Sequence, residues 1–344
     1  MSKEPEGFDI NIGVVGAGSW GTALANLLAE KGYPIDLWVF EQDICQQIAE
    51  TRENGVFLPG VQLSGNIRPT SDLAEVVRGK GLVLIVVPSH VMRVVAGQMA
   101  PHLEPEAVVV SASKGIENET QLTMTGVLKE AAADLSDDRL AVLSGPSFAR
   151  EVAMGVPTVV TIASKNEACA NMAQRVFATA AFRVYTNEDI IGVELGGAVK
   201  NVIAIAAGII DGLGLGLNTR AALITRGQTE IRRLGLAMGA NPRTFTGLAG
   251  IGDLVLTCTG DLSRNHMVGL KIGQGQTLSQ VLSDMRMVAE GVKTARSVYN
   301  LAKRLGVEMP ISDAVYRVLH EDLSPKDACY ELMTRDLKHE LDDQ

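Results

Sequence analysis

The sequence predicts an α/β domain built on a doubly wound, mainly parallel sheet over residues 1–190, followed by an all-helical domain over residues 191–344. Three observations carry this. A β-branched run, Ile10–Val15, leads through a glycine-rich turn directly into a helical pattern. Short buried-strand runs then alternate with helical patterns as far as Thr186, the arrangement that winds a parallel sheet on both faces. After Asn187 the strand signal stops and helical periodicity takes over, and 344 residues exceed what one typical core encloses.

Taken in order, the first strand runs into Gly16-Ala-Gly18-Ser-Trp-Gly21, and the helix that follows stops at Gly32. Strand, GxGxxG and helix is the context of a dinucleotide fingerprint. Gly16 permits the tight turn, Gly18 lets backbone approach a pyrophosphate, and Gly21 lets helix pack on strand. The second strand, Ile35–Phe40, ends at Glu41, whose carboxylate suits ribose hydroxyls; no Lys or Arg adjoins it, so NAD is favoured over NADP. Further strands are expected at Leu82–Val87, Val108–Ser111, Leu140–Leu143, Thr158–Ala163 and Arg183–Thr186. Ligands of such sheets sit beyond the carboxyl ends of the strands. Three turns there carry chemistry: Pro88-Ser89-His90, Lys114-Gly115, and Ser144-Gly-Pro-Ser-Phe-Ala149, whose free N–H groups suit an oxyanion.

The second domain opens on a helix over Gly192–Asp211, unbroken by proline. At about 100° per residue, Lys200 shares a face with Gly196, Gly197, Ala204, Ala207 and Asp211, while Glu194 and Asn201 align on an adjacent face. A lysine in so apolar a helix needs a partner or a purpose. It is either salt-bridged, with Asp211 the nearest acid on its face, or a catalytic amine with a lowered pKa. The loop Gly212–Gly216 leads to a helix capped by Asn218 or Thr219, whose arginines 220, 226, 232 and 233 read as surface or ion-paired groups. Glycines 247, 250 and 252 lead into Asp253, and Ser263-Arg264-Asn265 opens another helix. A hydroxyl, a guanidinium fork, an amide and backbone donors at a helix start form a phosphate cradle. Val288-Ala-Glu290-Gly291 begins the next helical segment, and packing helices complete the chain.

Net charge of −9 argues against a nucleic-acid or anionic-membrane partner, so an anionic substrate needs a local cationic pocket. The four cysteines are scattered without a CxxC pair, which points away from structural zinc or a disulfide framework and toward a reducing cytoplasm. The acidic N-terminal residues form no signal peptide, and the longest apolar run of the long helix, Val202–Ile210, is too short for membrane insertion.

The motifs GAGSWG at 16–21, Ser-Lys114-Gly115, SGPSFA at 144–149, ELGGAVKN at 194–201, LITRG at 223–227, GIGDL at 250–254, SRN at 263–265 and VAEG at 288–291 occur here in one order. Together they closely resemble the NAD(P)-dependent glycerol-3-phosphate dehydrogenases of bacterial type, across residues 10–335. The resemblance implies a Rossmann domain, a helical substrate domain, a homodimer, and interconversion of dihydroxyacetone phosphate and sn-glycerol 3-phosphate for phospholipid synthesis. It places Ser19, Trp20, Phe40, Lys114, Ala149, Arg264, Val288 and Glu290 on the cofactor. Lys114, Gly145, Ser147, Lys200, Asp253, Ser263, Arg264 and Asn265 would surround the substrate, with Lys200 as acid/base. In two places the chain departs from the bacterial pattern. Trp38-Val-Phe-Glu41 lacks the usual Arg or His, which is more like NAD-using enzymes, and His266 stands where a second arginine is usual.

Reducing a ketone by hydride leaves negative charge on its oxygen, so a proton donor must stand there. Lys200 is that donor, its pKa depressed by burial, Lys114 and Arg264, while Asn201 and Asp253 with Thr257 orient the amine and the substrate hydroxyls. Two other readings fit parts of the chain: a β-hydroxyacid or 6-phosphogluconate-type dehydrogenase, which needs a carboxylate site, and a non-catalytic NAD(H) sensor, which needs only residues 16–21.

Overall fold

A computed structural model describes residues 10–283, 285 and 289–340. Runs of Ile, Val and Leu form eight strands: β1 (Ile12–Val15), β2 (Ile35–Trp38), β3 (Ile67–Thr70), β4 (Leu82–Ile85), β5 (Val108–Ser111), β6 (Leu140–Ser144), β7 (Thr158–Ala163) and β8 (Phe182–Asn187). They form one sheet in the order β3-β2-β1-β4-β5-β6-β7-β8. Ile12 pairs with Ile35 on one side and Leu82 on the other, so the glycine-rich turn after β1 emerges at the sheet centre. The period of two divides each strand between two cores. Leu82 and Leu84 face the core that holds Leu24, Leu28, Phe177 and Phe182, whereas Val83 and Ile85 face Met92, Val127 and Leu128.

The helices of this half are α1 (Ser19–Glu30), α2 (Gln42–Thr51), α3 (Leu73–Val77), α4 (Met92–Met99), α5 (Met124–Ala131), α6 (Ala149–Ala153) and α7 (Glu167–Phe177). One strand differs from the sequence expectation, and one pairing refines the mainly parallel sheet it gives. The edge strand β3 went unforeseen because Arg68 and Pro69 interrupt its apolar pattern; an edge position tolerates both, and Arg68 is ion-paired to Asp36 of β2. The sheet is also not wholly parallel, because β6 and β7 run antiparallel. Residues 145–157 hold only the one-and-a-half-turn helix α6 and do not cross back along a face. The chain therefore re-enters the sheet from the end it left.

The second half contains α8 (Ile190–Gly212), α9 (Gly216–Ala237), α10 (Asp253–Thr259), α11 (Arg264–Gly273), α12 (Leu278–Ser283), α13 (Glu290–Leu305), α14 (Pro310–His320) and α15 (Pro325–Met333). Helix α8 is mostly apolar, is buried along nearly its whole length and lies at the centre of this domain, packed by α9, α10, α11 and α13. Among the described residues it alone is long and apolar enough to cross a membrane, and it is enclosed by protein instead. Its seam with α11 is made by glycines on both helices. A Cβ at Gly208 would lie 2.0 Å from the His266 carbonyl oxygen, and one at Gly269 would lie 2.0 Å from that of Ile205. The two backbones therefore touch, which draws the start of α11 alongside the turn of α8 that carries Lys200.

Two local expectations are corrected here. Helix α9 begins at Gly216 with Leu215 before it, not at Asn218 or Thr219; the Thr219 hydroxyl donates back to the Leu215 carbonyl. Asp211 does not partner Lys200. It is three turns away and accepts from Arg220 at 2.9 Å and from His266 Nε2 at 2.7 Å.

Candidate active site

Residues just beyond the carboxyl ends of β4 and β5 and at the end of β6 meet the helical domain, through Ser89–Glu290, Lys114–Asp253 and Ser144 against Gly197. At β1, Gly16 holds φ +112°, and a Cβ there would lie 2.5 Å from the Val86 carbonyl oxygen, so only glycine fits the turn. A Cβ at Gly21 would strike the Gly16 carbonyl oxygen at 1.9 Å, whereas one at Gly18 would meet nothing within 4 Å among the described residues, and Gly18 caps α1 with no side chain. The helix start thus presents backbone N–H groups to open space, a fit for a dinucleotide pyrophosphate. The Trp20 Nε1 is buried without a partner beside it. Phe40, 74% exposed, stands edge-to-face on Trp38 just beyond β2, ahead of Glu41. Ala149 opens α6, which packs on α1. The buttress of this loop escaped the sequence reading: buried Asn54 donates to the Ala17 carbonyl at 2.8 Å and to the Thr22 hydroxyl at 2.9 Å. Nothing in its spacing marks an asparagine 32 residues away as a partner of Thr22.

Between the two domains, one carboxylate gathers both candidate lysines. Lys200 Nζ donates to Asp253 Oδ1 at 2.5 Å and to Thr257 Oγ1 at 2.7 Å. Lys114 Nζ donates to Asp253 Oδ2 at 2.7 Å and to the Gly145 carbonyl at 3.4 Å. Asp253 is 1% exposed, so this pairing is largely desolvated. Burial lowers the Lys200 pKa to about 8; the Asp253 charge opposes this, and the Lys114 ammonium adds to it. Arg264, also expected to depress it, is not among the largest contributors to this shift. The small residues that precede Lys200 have a packing purpose. A Cβ at Gly197 would meet Ser144 Oγ at 2.6 Å, and one at Gly196 the Ala249 carbonyl at 2.3 Å.

Asn201 does not orient the amine. Its Oδ1 accepts from Asn265 Nδ2 at 2.9 Å, and Asn265 Oδ1 accepts from the Gly291 N–H at 2.9 Å, which ties the starts of α11 and α13 to α8. Ser263 caps α11, accepting from the His266 N–H at 3.2 Å. Arg264 makes no ion pair or hydrogen bond among the described residues. Its side chain reaches solvent, yet the walls around it lower its pKa by desolvation, with the Glu290 charge opposing. Gly145 holds φ +144° against Val160, and Ser147 Oγ donates to the Gly145 carbonyl at 3.0 Å. Glu290 crosses from α13 to the first domain, accepting from the Ser89 hydroxyl at 2.6 Å and its N–H at 3.3 Å. Val288 lies outside the described residues. A cavity of 190 Å³ lined by Thr161, Asn187, Arg243 and Thr244 contains none of these groups.

Comparison with known proteins gives the same result for both domains. Residues 11–170 match the family model for the N-terminus of NAD-dependent glycerol-3-phosphate dehydrogenase, and residues 189–330 match that for its C-terminus. The glycerol-3-phosphate dehydrogenase [NAD(P)+] of Syntrophobacter fumaroxidans is 59% identical over 96% of this chain and 97% of its own length. That of Geobacter sulfurreducens is also 59% identical, over 96% and 98%. The crystal structure of glycerol-3-phosphate dehydrogenase from Coxiella burnetii superposes with a TM-score of 0.92 at 41% identity, covering 96% of this chain and all of that one. Matched in both halves and along nearly its whole length, the chain belongs to the NAD-dependent glycerol-3-phosphate dehydrogenase family.

Proposed function

We propose that this oxidoreductase transfers hydride between NAD(P)H and dihydroxyacetone phosphate, giving sn-glycerol 3-phosphate, with Lys200 as the acid/base. The observation that carries the reading is the Lys200–Asp253–Lys114 pairing at the mouth of a dinucleotide cradle. When bound, the reduced nicotinamide supplies the hydride to C2. Lys200 donates its proton to the oxygen at that carbon as charge develops, and takes it back in the oxidation direction. Asp253 and Thr257 aim the amine, and Lys114 adds a second positive charge for the oxyanion. Ser263, Arg264 and Asn265 hold the phosphate at the start of α11, far enough from the amine that anchoring one end positions the other.

The carboxylate-substrate alternative is disfavoured by the family membership, and a sensor without chemistry would not need a buried and a half-buried lysine on one buried aspartate. Phe40 and Glu41 beyond β2, with no adjoining cation, support NAD as the preferred cofactor. A homodimer follows from the family resemblance, to be measured by light scattering. All four cysteines are free thiols, which supports a reducing, cytoplasmic setting. The test of the central assignment is Lys200→Ala: turnover should fall at least about 10²-fold, the lower end of what general acid–base catalysis supplies, with NADH affinity near normal. Full activity in that variant removes Lys200 from the mechanism.

A further inference from the structure

Glu194 is buried at 6% exposure and has no cationic partner within salt-bridge distance among the described residues. Both of its oxygens go to the start of one helix of the other domain, where Thr125 makes the two shortest bonds and the Thr123 hydroxyl and Met124 N–H also donate toward it. The Thr125 N–H reaches Oε1 at 2.8 Å, and the Thr125 hydroxyl reaches Oε2 at 2.6 Å. Thr125 lies in the first turn of α5, whose preceding residue, Thr123, provides no side-chain cap of its own. A carboxylate from α8 therefore caps a helix of the nucleotide domain, where the helix dipole favours negative charge. Burial pushes the Glu194 pKa up, and the threonine donors pull against that rise. Sinking a carboxylate this deeply without a counter-charge is costly, and the hydrogen bonds it accepts offset only part of that cost.

We propose that Glu194 is a positioning residue for the reaction, setting the register of the Lys200 helix against the loop that carries Lys114. Two placements make the link. Glu194 and Lys200 lie on one unbroken helix, six residues or about 9 Å apart along its axis. Lys114 and Thr125 belong to one β5–α5 connection, closed on itself by the Ile116–Thr123 bridge and the Glu117 N–H to Leu122 carbonyl bond. Between them, α8 touches its neighbours through Gly196 and Gly197. Glycine contacts allow close approach but do not fix how far a helix slides along its axis; two directional hydrogen bonds to a carboxylate do.

The proposal rests on Lys200 being the proton donor, and Lys200→Ala separates the two: an active Lys200→Ala enzyme refutes that reading, whatever Glu194 does. The test is steady-state kinetics of the full-length enzyme with NADH and dihydroxyacetone phosphate, beside NADH titration and thermal unfolding. Glu194→Gln should lower kcat at least about 10-fold, within the ~10²-fold that a 1 Å misplacement costs, while NADH affinity and substrate KM stay within about threefold. Thr125→Ser keeps both donors and should match the parent enzyme, whereas Thr125→Val loses one and should fall between them. If Glu194→Gln does not fold, the two Thr125 variants decide alone. A kcat within about twofold of the parent in Glu194→Gln or Thr125→Val overturns the proposal. So does a uniform loss of kcat, NADH affinity and thermal stability, or a Thr125→Ser enzyme as impaired as Thr125→Val.

Discussion

Asp253 accepts from two ammonium groups, so its removal should act on proton transfer and not only on shape. The Asp253 charge holds the Lys200 pKa up against burial. Reduction of the ketone needs the protonated amine, so its rate should decline as pH rises through about 8, while the oxidation rate should climb over the same interval. In Asp253→Asn the lysine loses that support, and the reduction limb should move to lower pH by about one unit. An unmoved limb would exclude Lys200 as the group that titrates. Arg264 has no partner of its own among the described residues, which leaves its guanidinium for the substrate phosphate. Arg264→Ala should raise KM for dihydroxyacetone phosphate far more than for dihydroxyacetone, and equal effects on both would remove the phosphate assignment. At this scale the sequence disclosed the groups of the candidate site, because their motifs are local: Lys114 in its turn, Lys200 on its helix, Ser263-Arg264-Asn265 at a helix start. It did not disclose Asn54 behind the Ala17 carbonyl, Thr125 beneath Glu194 or Asn265 beside Asn201. Each of those bonds joins segments far apart in the chain, and no periodicity records such a meeting.

Among the elements, the α8–α11 seam is the least tolerant of change. Gly208→Ala would force the His266 carbonyl away from a Cβ it cannot accommodate. We expect a loss of about 2–3 kcal/mol in chemical denaturation together with a raised KM, since the start of α11 moves with the seam. Another element-level device lies in α9. Glu230 accepts from the Ile311 and Ser312 N–H groups and from the Ser312 hydroxyl, capping α14 from a distance. Burial pushes its pKa up to about 7 despite these bonds. A carboxyl raised in the folded state binds its proton more tightly there than in the unfolded chain. Its contribution is therefore fully present below the unfolded pKa near 4.5 and is lost as pH climbs through about 7, a change of about 3 kcal/mol. Urea midpoints of the parent protein should fall across that window more steeply than those of Glu230→Gln; parallel slopes would assign the effect elsewhere. Elements with uniform apolar runs, such as β4, β5 and α8, were legible in the sequence. The edge strand β3 was not, because Pro69 and Arg68 mimic a turn. The direction of β7 was not either, because it depends on where residues 145–157 travel.

Across the whole molecule, buried polar contacts join the two halves. Besides Glu194–Thr125, Lys114–Asp253 and Ser89–Glu290, the Ser297 hydroxyl of α13 lies 2.8 Å from the Ile116 carbonyl. These bonds sit at the domain boundary and should make the halves unfold together. Both tryptophans, Trp20 and Trp38, lie in the first domain, whereas the helical signal in circular dichroism comes largely from the second. Denaturation followed by tryptophan fluorescence and by far-ultraviolet ellipticity should therefore give one coincident transition; separated midpoints would mean that the halves melt independently. The two-domain plan was visible in the change from strand runs to helical periodicity near residue 188, but the boundary contacts were not, since each is a meeting of single side chains.

The touching backbones of α8 and α11 also bear on what the enzyme accepts. One rod carries the proposed proton donor and the other the proposed phosphate anchor, and the gap between the rods is set by atoms of the main chain. Trimming or enlarging side chains around the site should leave that gap unchanged. On the proposed assignment, the lateral spacing between donor and anchor is thus a ruler made of main chain, and a longer phosphorylated ketone would have to fold on itself to be measured by it.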